Sequence, residues 1–330
     1  MKKVLMPWPT GGEIQKVIAD AKAAVEDVRQ LASVDDSPIQ GEIEWFERAR
    51  DAHVVLNPRI TLSKYKEFLD GAKMLKMIQT TSIGYDHIDI TACTEKGVIV
   101  CNVAEVMAES TAQHTLALIL DVAKNVTRSD RATRSGGWSP RGRFGIELYG
   151  KTLGIIGLGN IGGRVAMKAA LAFGMRILAY DPYILPARAK LYNAELVDLE
   201  KLLKESDVVS VHCPLTAETK HLLGREQLRL LKPTAILVNA ARGPILDENA
   251  LIEILEKERI YGAGLDVFEK EPPEANNPLR RLENVVLTSH IASSTDEAFS
   301  RTWKAAIENI LRFLREEKPY WIVNPSVLRT

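Results

Sequence analysis

The stretch that decides the fold is Leu153-Gly154-Ile155-Ile156-Gly157-Leu158-Gly159-Asn160-Ile161-Gly162. A short apolar run breaks into three glycines at G-x-G-x-x-G spacing, and a helical pattern follows. Alone the glycine spacing is a weak signal; its context gives it weight. Asp181 lies 19 residues beyond Gly162, at the end of the next strand-like run. This is the layout of a βαβ unit that binds a dinucleotide. Gly157 permits the tight turn, Gly159 lets backbone approach a pyrophosphate, and Gly162 lets the helix pack on its strand. The amides of Asn160 and Ile161 then stand at a helix N-terminus, where unpaired N–H groups and the helix dipole favour phosphate. Asp181 is placed to accept hydrogen bonds from the adenosine ribose and to repel a 2′-phosphate. The next residues, Pro182-Tyr183-Ile184, carry no Arg. NAD(H) is therefore expected rather than NADP.

On either side, short apolar runs alternate with longer amphipathic ones, the rhythm of parallel α/β sheets. Strands are predicted at residues 3–6, 52–56, 76–79 and 98–101, with helices at 12–31 and 63–69. A long helix over 110–128 crowds apolar residues on too many faces for a surface helix, which predicts burial between layers. The second series has strands at 152–156, 176–180, 208–212, 235–239, 261–267 and 285–287 and helices at 161–173, 199–205, 226–230 and 248–258. A last helix spans 295–314. The long helices suit the crossings between two domains. The expected organisation is a discontinuous substrate domain, 1–102 with 295–330, around an NAD-binding Rossmann domain, 103–294. Both are doubly wound parallel-sheet α/β domains, with the active site in the cleft between them.

Composition narrows the partners. The 43 Lys and Arg balance 43 Asp and Glu, so neither nucleic acid nor an anionic membrane is indicated. The N-terminus has no apolar signal segment, and no apolar run approaches a membrane span. Three cysteines, Cys93, Cys101 and Cys213, form no C-x-x-C pair, so neither a disulfide framework nor a metal site is expected. A cytoplasmic enzyme is the reading.

Three polar residues each follow a buried-looking strand, the end where α/β sheets place ligands. They are Arg242 in Asn239-Ala240-Ala241-Arg242-Gly243, Glu271 in Val267-Phe268-Glu269-Lys270-Glu271-Pro272, and His290 in Thr288-Ser289-His290-Ile291-Ala292. Hydride transfer to a keto acid needs a cation on the carboxylate and carbonyl, a proton donor at the developing alkoxide, and a group that keeps the donor protonated. Arg, His and Glu supply these functions. Taken singly, each has a plain structural reading as well: a cap or ion pair, a strand-end histidine, an exposed loop carboxylate.

The chain resembles the D-isomer-specific 2-hydroxyacid dehydrogenases nearly end to end. The carriers are residues 83–89 (Ile-Gly-Tyr-Asp-His-Ile-Asp), 112–116 (Ala-Gln-His-Thr-Leu), the glycine loop, 212–216 (His-Cys-Pro-Leu-Thr), 239–248, 264–272 and 290–295. The resemblance implies that Arg242, Glu271 and His290 are the catalytic trio. It implies that Thr111, Cys213, Pro214, Thr219, Ala240 and Asp266, together with Arg242 and His290, line the cofactor. It also implies that amides of Ser82, Ile83 and Gly84 hold the substrate carboxylate, with Arg59 facing the substrate.

A homodimer joined through the long helix is a further implication, and regulatory domains of the longer phosphoglycerate enzymes are expected to be absent. The sequence departs from its relatives at Ala104-Glu105, often Pro-Gly, and at Ala240, often Thr. Glu271 argues against the formate branch, which carries Gln there. An alternative on the same scaffold is an NAD-sensing, corepressor-like binding protein, although such proteins usually carry extended tails. His114 is expected to make a core hydrogen bond. Arg128, Arg131, Arg134, Arg141 and Arg143 around Trp138 read as a solvated or subunit-facing connection.

Overall fold

The computed structural model describes residues 1–9, 19–138 and 144–329. The chain separates into two compact units, Met1–Met107 with Ser294–Thr330, and Ala108–Ser293.

In the first unit, β1 (Lys2–Leu5), α1 (Ala19–Leu31), β2 (Ala32–Asp35), α2 (Glu42–Arg48), β3 (Val54–Leu56), α3 (Tyr65–Gly71), β4 (Met77–Gln79), α4 (Ile90–Glu95) and β5 (Ile99–Cys101) alternate. The sheet order is β2-β1-β3-β4-β5, and every pairing is parallel. Val54, Val55 and Leu56 are all buried, as strands covered on both faces must be.

In the second unit, α5 (Ala108–Lys124) and α6 (Val126–Arg134) precede β6 (Thr152–Ile156), α7 (Asn160–Phe173), β7 (Arg176–Tyr180), α8 (Pro186–Leu191), β8 (Ala194–Leu196), α9 (Leu199–Glu205), β9 (Val208–Val211) and α10 (Arg225–Leu228). Then come β10 (Ile236–Asn239), α11 (Glu248–Glu256), β11 (Gly262–Leu265) and β12 (Val285–Leu287). The order β12-β11-β10-β9-β6-β7-β8 is all parallel and reverses direction at β6. This is the doubly wound arrangement whose ligand crevice opens at the carboxyl ends of the strands.

The C-terminal helix α12 (Asp296–Leu314) returns to the first unit. Thr295 caps it by accepting a hydrogen bond from the Ala298 amide, and Asp296 and Glu297 sit in its positive first turn. Fully buried Asn309 donates to Gln79 Oε1 at 3.0 Å and accepts from the Tyr320 amide at 2.8 Å. Asn324 Oδ1 accepts from the Val100 amide at 2.8 Å, tying the tail to β5.

One expectation changes. The long helix over 110–128 stops at Lys124, because Asn125 turns left-handed (φ 55°) and α6 starts anew at Val126. Asp121 fixes that break by accepting from the Thr127 amide at 2.7 Å. Arg128, Arg131 and Arg134 stand on α6, while Arg141 and Arg143 lie outside the described residues. Of the predicted helix 12–31, residues 12–18 lie outside the described residues and Ala19–Leu31 is helical.

Candidate active site

The glycine loop carries β6 into α7, with Gly159 as the residue before the first helical turn. Gly157 adopts φ 91°, and a Cβ there would lie 2.6 Å from the Cys213 amide nitrogen. No other residue satisfies both demands. A Cβ at Gly162 would lie 2.2 Å from the Gly157 carbonyl oxygen, so Gly162 is what lets the helix approach its own loop. At Gly159, by contrast, a Cβ would meet nothing within 4 Å, which leaves backbone open at a helix N-terminus. That opening suits a pyrophosphate.

Asp181 stands just past β7. Its Oδ2 accepts from the Leu158 amide at 2.8 Å and its Oδ1 from the Tyr183 amide at 3.0 Å. It thus braces the glycine loop, and each oxygen keeps a lone pair for a ribose hydroxyl. Arg188, on α8, brings Nη2 to 3.5 Å from Asn160 Oδ1 and adds a cation to a loop that carries none. No sequence signal points to Arg188, since only the fold returns α8 to the glycine loop.

Past β9, Thr219 Oγ1 donates to the Pro214 carbonyl at 2.6 Å and accepts from the Thr216 amide at 2.7 Å, closing the loop after Cys213. Burial pushes the Cys213 thiol up to about 11, which argues against a nucleophile there. Desolvation lowers His212 to about 3, so its ring is neutral, with Nε2 2.8 Å from Ser210 Oγ.

Arg242, Glu271 and His290 follow β10, β11 and β12, three neighbouring strands. Buried Asn239 shapes the first of these loops, accepting from the Ala241 amide at 3.0 Å and donating to the Arg242 carbonyl at 2.9 Å. Half-buried Ala240 lies between, and Arg242 Nη1 donates to the Ala241 carbonyl at 2.8 Å. Glu271 Oε1 accepts from the Phe268 amide at 3.1 Å, which turns the carboxylate back along its own loop. Its Oε2 lies 2.7 Å from His290 Nδ1. Because a carboxylate only accepts, Nδ1 carries the hydrogen and Nε2 is the atom left to exchange a proton.

His290 is itself left-handed (φ 56°), and its amide donates to the Asp266 carbonyl at 2.8 Å. Asp266 is fully buried, with both carboxylate oxygens engaged by protein donors. A further brace is not legible in the sequence. His221 Nε2 lies 2.6 Å from Glu269 Oε1, and the Glu269 amide donates to Glu248 Oε2 at 3.0 Å. Residues from two other segments thus steady the loop that presents Glu271. Thr111 is buried in α5, and His114 on the same helix bonds Thr288 Oγ1 at 3.1 Å.

In the first unit, Arg59 is exposed beyond β3 and Ser82-Ile83-Gly84 lies beyond the adjoining β4. Asn57 joins the two strand ends, accepting from the Thr81 amide at 2.7 Å. The Ser82, Ile83 and Gly84 carbonyls accept from Thr80 Oγ1 (3.0 Å), Asn102 Nδ2 (2.8 Å) and Ser82 Oγ (2.6 Å).

A cavity of about 950 Å³ lies elsewhere, at the amino ends of β11 and β12, lined by Asn125, Arg128, Arg131, Tyr261 and Glu283 among others. Open α/β sheets bind ligands at the carboxyl ends, so the strand ends bearing Arg242, Glu271 and His290 are the candidate site. Among the described residues no cluster of His, Cys, Asp and Glu could hold a metal ion, and no helix is long and apolar enough to cross a membrane.

A sheet in this order, with a glycine turn opening its first crossover helix, defines a dinucleotide-binding α/β protein. Comparison with known proteins carries the assignment further. Residues 116–292 match the model of the D-isomer specific 2-hydroxyacid dehydrogenase NAD binding domain. A glyoxylate reductase of Korarchaeum cryptofilum is 43% identical over 288 residues, covering 86% of each chain. A D-3-phosphoglycerate dehydrogenase of Methanocaldococcus jannaschii is 41% identical over 91% of this chain, which spans only 57% of that protein's length. The D-lactate dehydrogenase of Aquifex aeolicus, solved with NAD and lactic acid, superposes with a TM-score of 0.80 at 30% identity, covering 99% of this chain and 97% of that one. The chain belongs to the D-isomer-specific 2-hydroxyacid dehydrogenase family. It is an NAD-dependent oxidoreductase that interconverts a 2-keto acid and a D-2-hydroxy acid.

Proposed function

We propose that the chain reduces glyoxylate, or a close relative such as hydroxypyruvate, and that Arg242, Glu271 and His290 carry the reaction. The observation that carries this reading is the 2.7 Å pairing of Glu271 with His290 past β11 and β12, beside the strand β10 that leads to Arg242. NADH, when bound, supplies the hydride that adds to the substrate C2. His290 Nε2 gives the carbonyl oxygen its proton, and Glu271 holds the ring by Nδ1. Arg242 offers a planar, permanently charged fork to the carboxylate and the polarised carbonyl. Gly157, Gly159, Asn160, Ile161, Gly162 and Arg188 hold the pyrophosphate, and Asp181 the adenosine ribose. Cys213, Pro214, Thr219, Ala240 and Thr111 line the rest of the cofactor's path, while Asp266 supports it from beneath His290.

The second unit, Ala108–Ser293, is thus the NAD-binding domain, and the first, Met1–Met107 with Ser294–Thr330, the substrate-binding domain. There Ser82, Ile83 and Gly84 offer backbone amides to the substrate carboxylate, beside Arg59. Relatives named glyoxylate reductase, at 41–44% identity over most of their own length, favour the small acid. The chain works in the cytoplasm as a homodimer; exposed Val126, Trp138 and Phe144 on the second unit supply apolar surface for a partner copy.

NADH oxidation measured over glyoxylate, hydroxypyruvate, pyruvate and phosphohydroxypyruvate tests the reading. Highest kcat/KM with glyoxylate or hydroxypyruvate is expected. Consumption of NADH with none of the four would refute the enzyme assignment, and preference for phosphohydroxypyruvate would refute the substrate class. Light scattering at the monomer mass would remove the dimer.

A further inference from the structure

We propose that His114 is a positioning residue for the reaction, acting through Thr288 and Asp266 on the backbone that presents His290. The proposal rests on the reading of His290 as the proton donor.

Asp266 gathers the loop after β12 around itself. The amides of three consecutive residues end on it: His290 on its carbonyl at 2.8 Å, Ile291 on Oδ1 at 2.9 Å and Ala292 on Oδ2 at 2.9 Å. Thr288 donates its hydroxyl to Oδ1 at 2.6 Å. The carboxylate is fully buried, and a buried carboxylate needs every donor it can find. His290 is left-handed (φ 56°), and these bonds hold the backbone on both sides of it in place.

The polarity of the chain is fixed from its buried end. Asp266 accepts only, so the Thr288 hydroxyl spends its one hydrogen there and must accept from the group on its other side. That group is His114 Nε2, 3.1 Å from Thr288 Oγ1 and 3.6 Å from Asp266 Oδ1. His114 therefore carries its hydrogen on Nε2 and completes a directed series, His114 to Thr288 to Asp266.

The helix underneath is built for the purpose. Ser110, His114 and Leu118 recur at four-residue spacing along α5. Ser110 Oγ donates to the Ala292 carbonyl at 3.2 Å, and Leu118 closes on Gly264 of β11. His114 is the polar member of this ridge that reaches the segment between Thr288 and His290. Without it Thr288 loses its donor, its hydroxyl becomes free to rotate away from Asp266, and the turn at His290 loosens. Small misplacements of a reacting group are costly in rate while leaving binding intact.

Kinetics on four variants decide the matter, with NADH affinity read by fluorescence and thermal stability measured alongside. In His114→Leu and Thr288→Val, kcat is expected to fall about tenfold or more, with KM and the NADH dissociation constant within about twofold of the parent. His114→Gln, whose amide nitrogen reproduces the position of Nε2, is expected to recover most of that loss. An unchanged kcat in His114→Leu would overturn the proposal. So would a Gln variant as poor as the Leu one, or a parallel loss of kcat, cofactor affinity and stability, which would mark a merely structural residue. If His114→Leu does not fold, Thr288→Val carries the same test. His290→Gln separates the two levels. Turnover lost there but kept in His114→Leu and Thr288→Val removes only the positioning role; turnover kept in His290→Gln removes both readings.

Discussion

Substituting the three loop glycines by alanine separates cofactor binding from fold. At Gly159 φ is negative (−78°), and a Cβ would meet no protein atom within 4 Å. The cost to the apoprotein is the poorer N-cap alone, about 1 kcal/mol, or about 2–4 °C in Tm. On the proposed assignment the new methyl instead occupies the space through which the pyrophosphate would reach the helix N-terminus. Losing one hydrogen bond to a charged group costs about 1.5–3 kcal/mol, so NADH affinity should fall about 10- to 100-fold.

Gly162→Ala is the opposite case. Its Cβ falls 2.2 Å from the Gly157 carbonyl oxygen, so helix or loop must move. Overpacking of this kind costs about 1–3 kcal/mol, and Tm should drop by about 2–12 °C along with affinity. Gly157→Ala adds φ 91° to a 2.6 Å clash and should be at least as damaging. Fluorescence titration with NADH and apoprotein melting give the two numbers. A Gly159→Ala variant that binds NADH like the parent would refute the assignment of the pyrophosphate to this loop, whatever the other two do.

Three further outcomes follow from the site. Arg242→Lys keeps the charge but loses the planar fork; kcat/KM for the keto acid should fall about 10- to 100-fold with NADH affinity nearly unchanged, and parental kcat/KM would remove Arg242 from the substrate. Burial pushes Cys213 up to about 11 and Cys93 and Cys101 up to about 12, so iodoacetamide at pH 7.5 should leave all three thiols of the native protein intact, and rapid stoichiometric labelling of any one would contradict their burial. His212 is lowered by desolvation from 6.5 to about 3, so between those values the unfolded chain binds the extra proton and stability falls as pH is lowered. Denaturation of His212→Gln should show a flatter dependence between pH 6.5 and 4.5 than the parent; equal slopes would place His212 in water.

The glycine loop and the strand-end trio are legible because their constraints are local: a turn, a close approach, a polar residue at the end of an apolar run. What escapes is set by tertiary partners. The two unpredicted strands, β2 (Ala-Ser-Val-Asp) and β8 (Ala-Glu-Leu), both lie at sheet edges, where one-sided pairing demands little apolar sequence. Apolar periodicity runs through Asn125 unbroken, because the break depends on Asp121 and on the 2.9 Å bond from Asn125 Nδ2 to the Tyr261 hydroxyl, 136 residues away. The brace that Asp266 forms escapes for a related reason. Its carboxylate is spent on Thr288, Ile291 and Ala292, and no spacing rule links positions 22 to 26 residues apart in two different loops.

The sheet order explains why these scattered signals amount to one site. The glycine loop follows β6, the strand at which the order reverses, and Asp181 follows β7 on one side of it. Arg242, Glu271 and His290 follow β10, β11 and β12, which lie two, three and four strands to the other side. At about 4.8 Å between strands that is an offset of roughly 10–19 Å along the carboxyl edge. A mononucleotide held by its phosphate at Gly159 and its ribose at Asp181 would lie on the β7 side and leave the trio untouched. A dinucleotide extends in both directions from its pyrophosphate, so with that group at Gly159 one nucleoside would take Asp181 and the other would reach toward the trio. The division between recognition and reaction is therefore a consequence of strand order, and the reversal at β6 is what makes a ligand with two halves the one that fits.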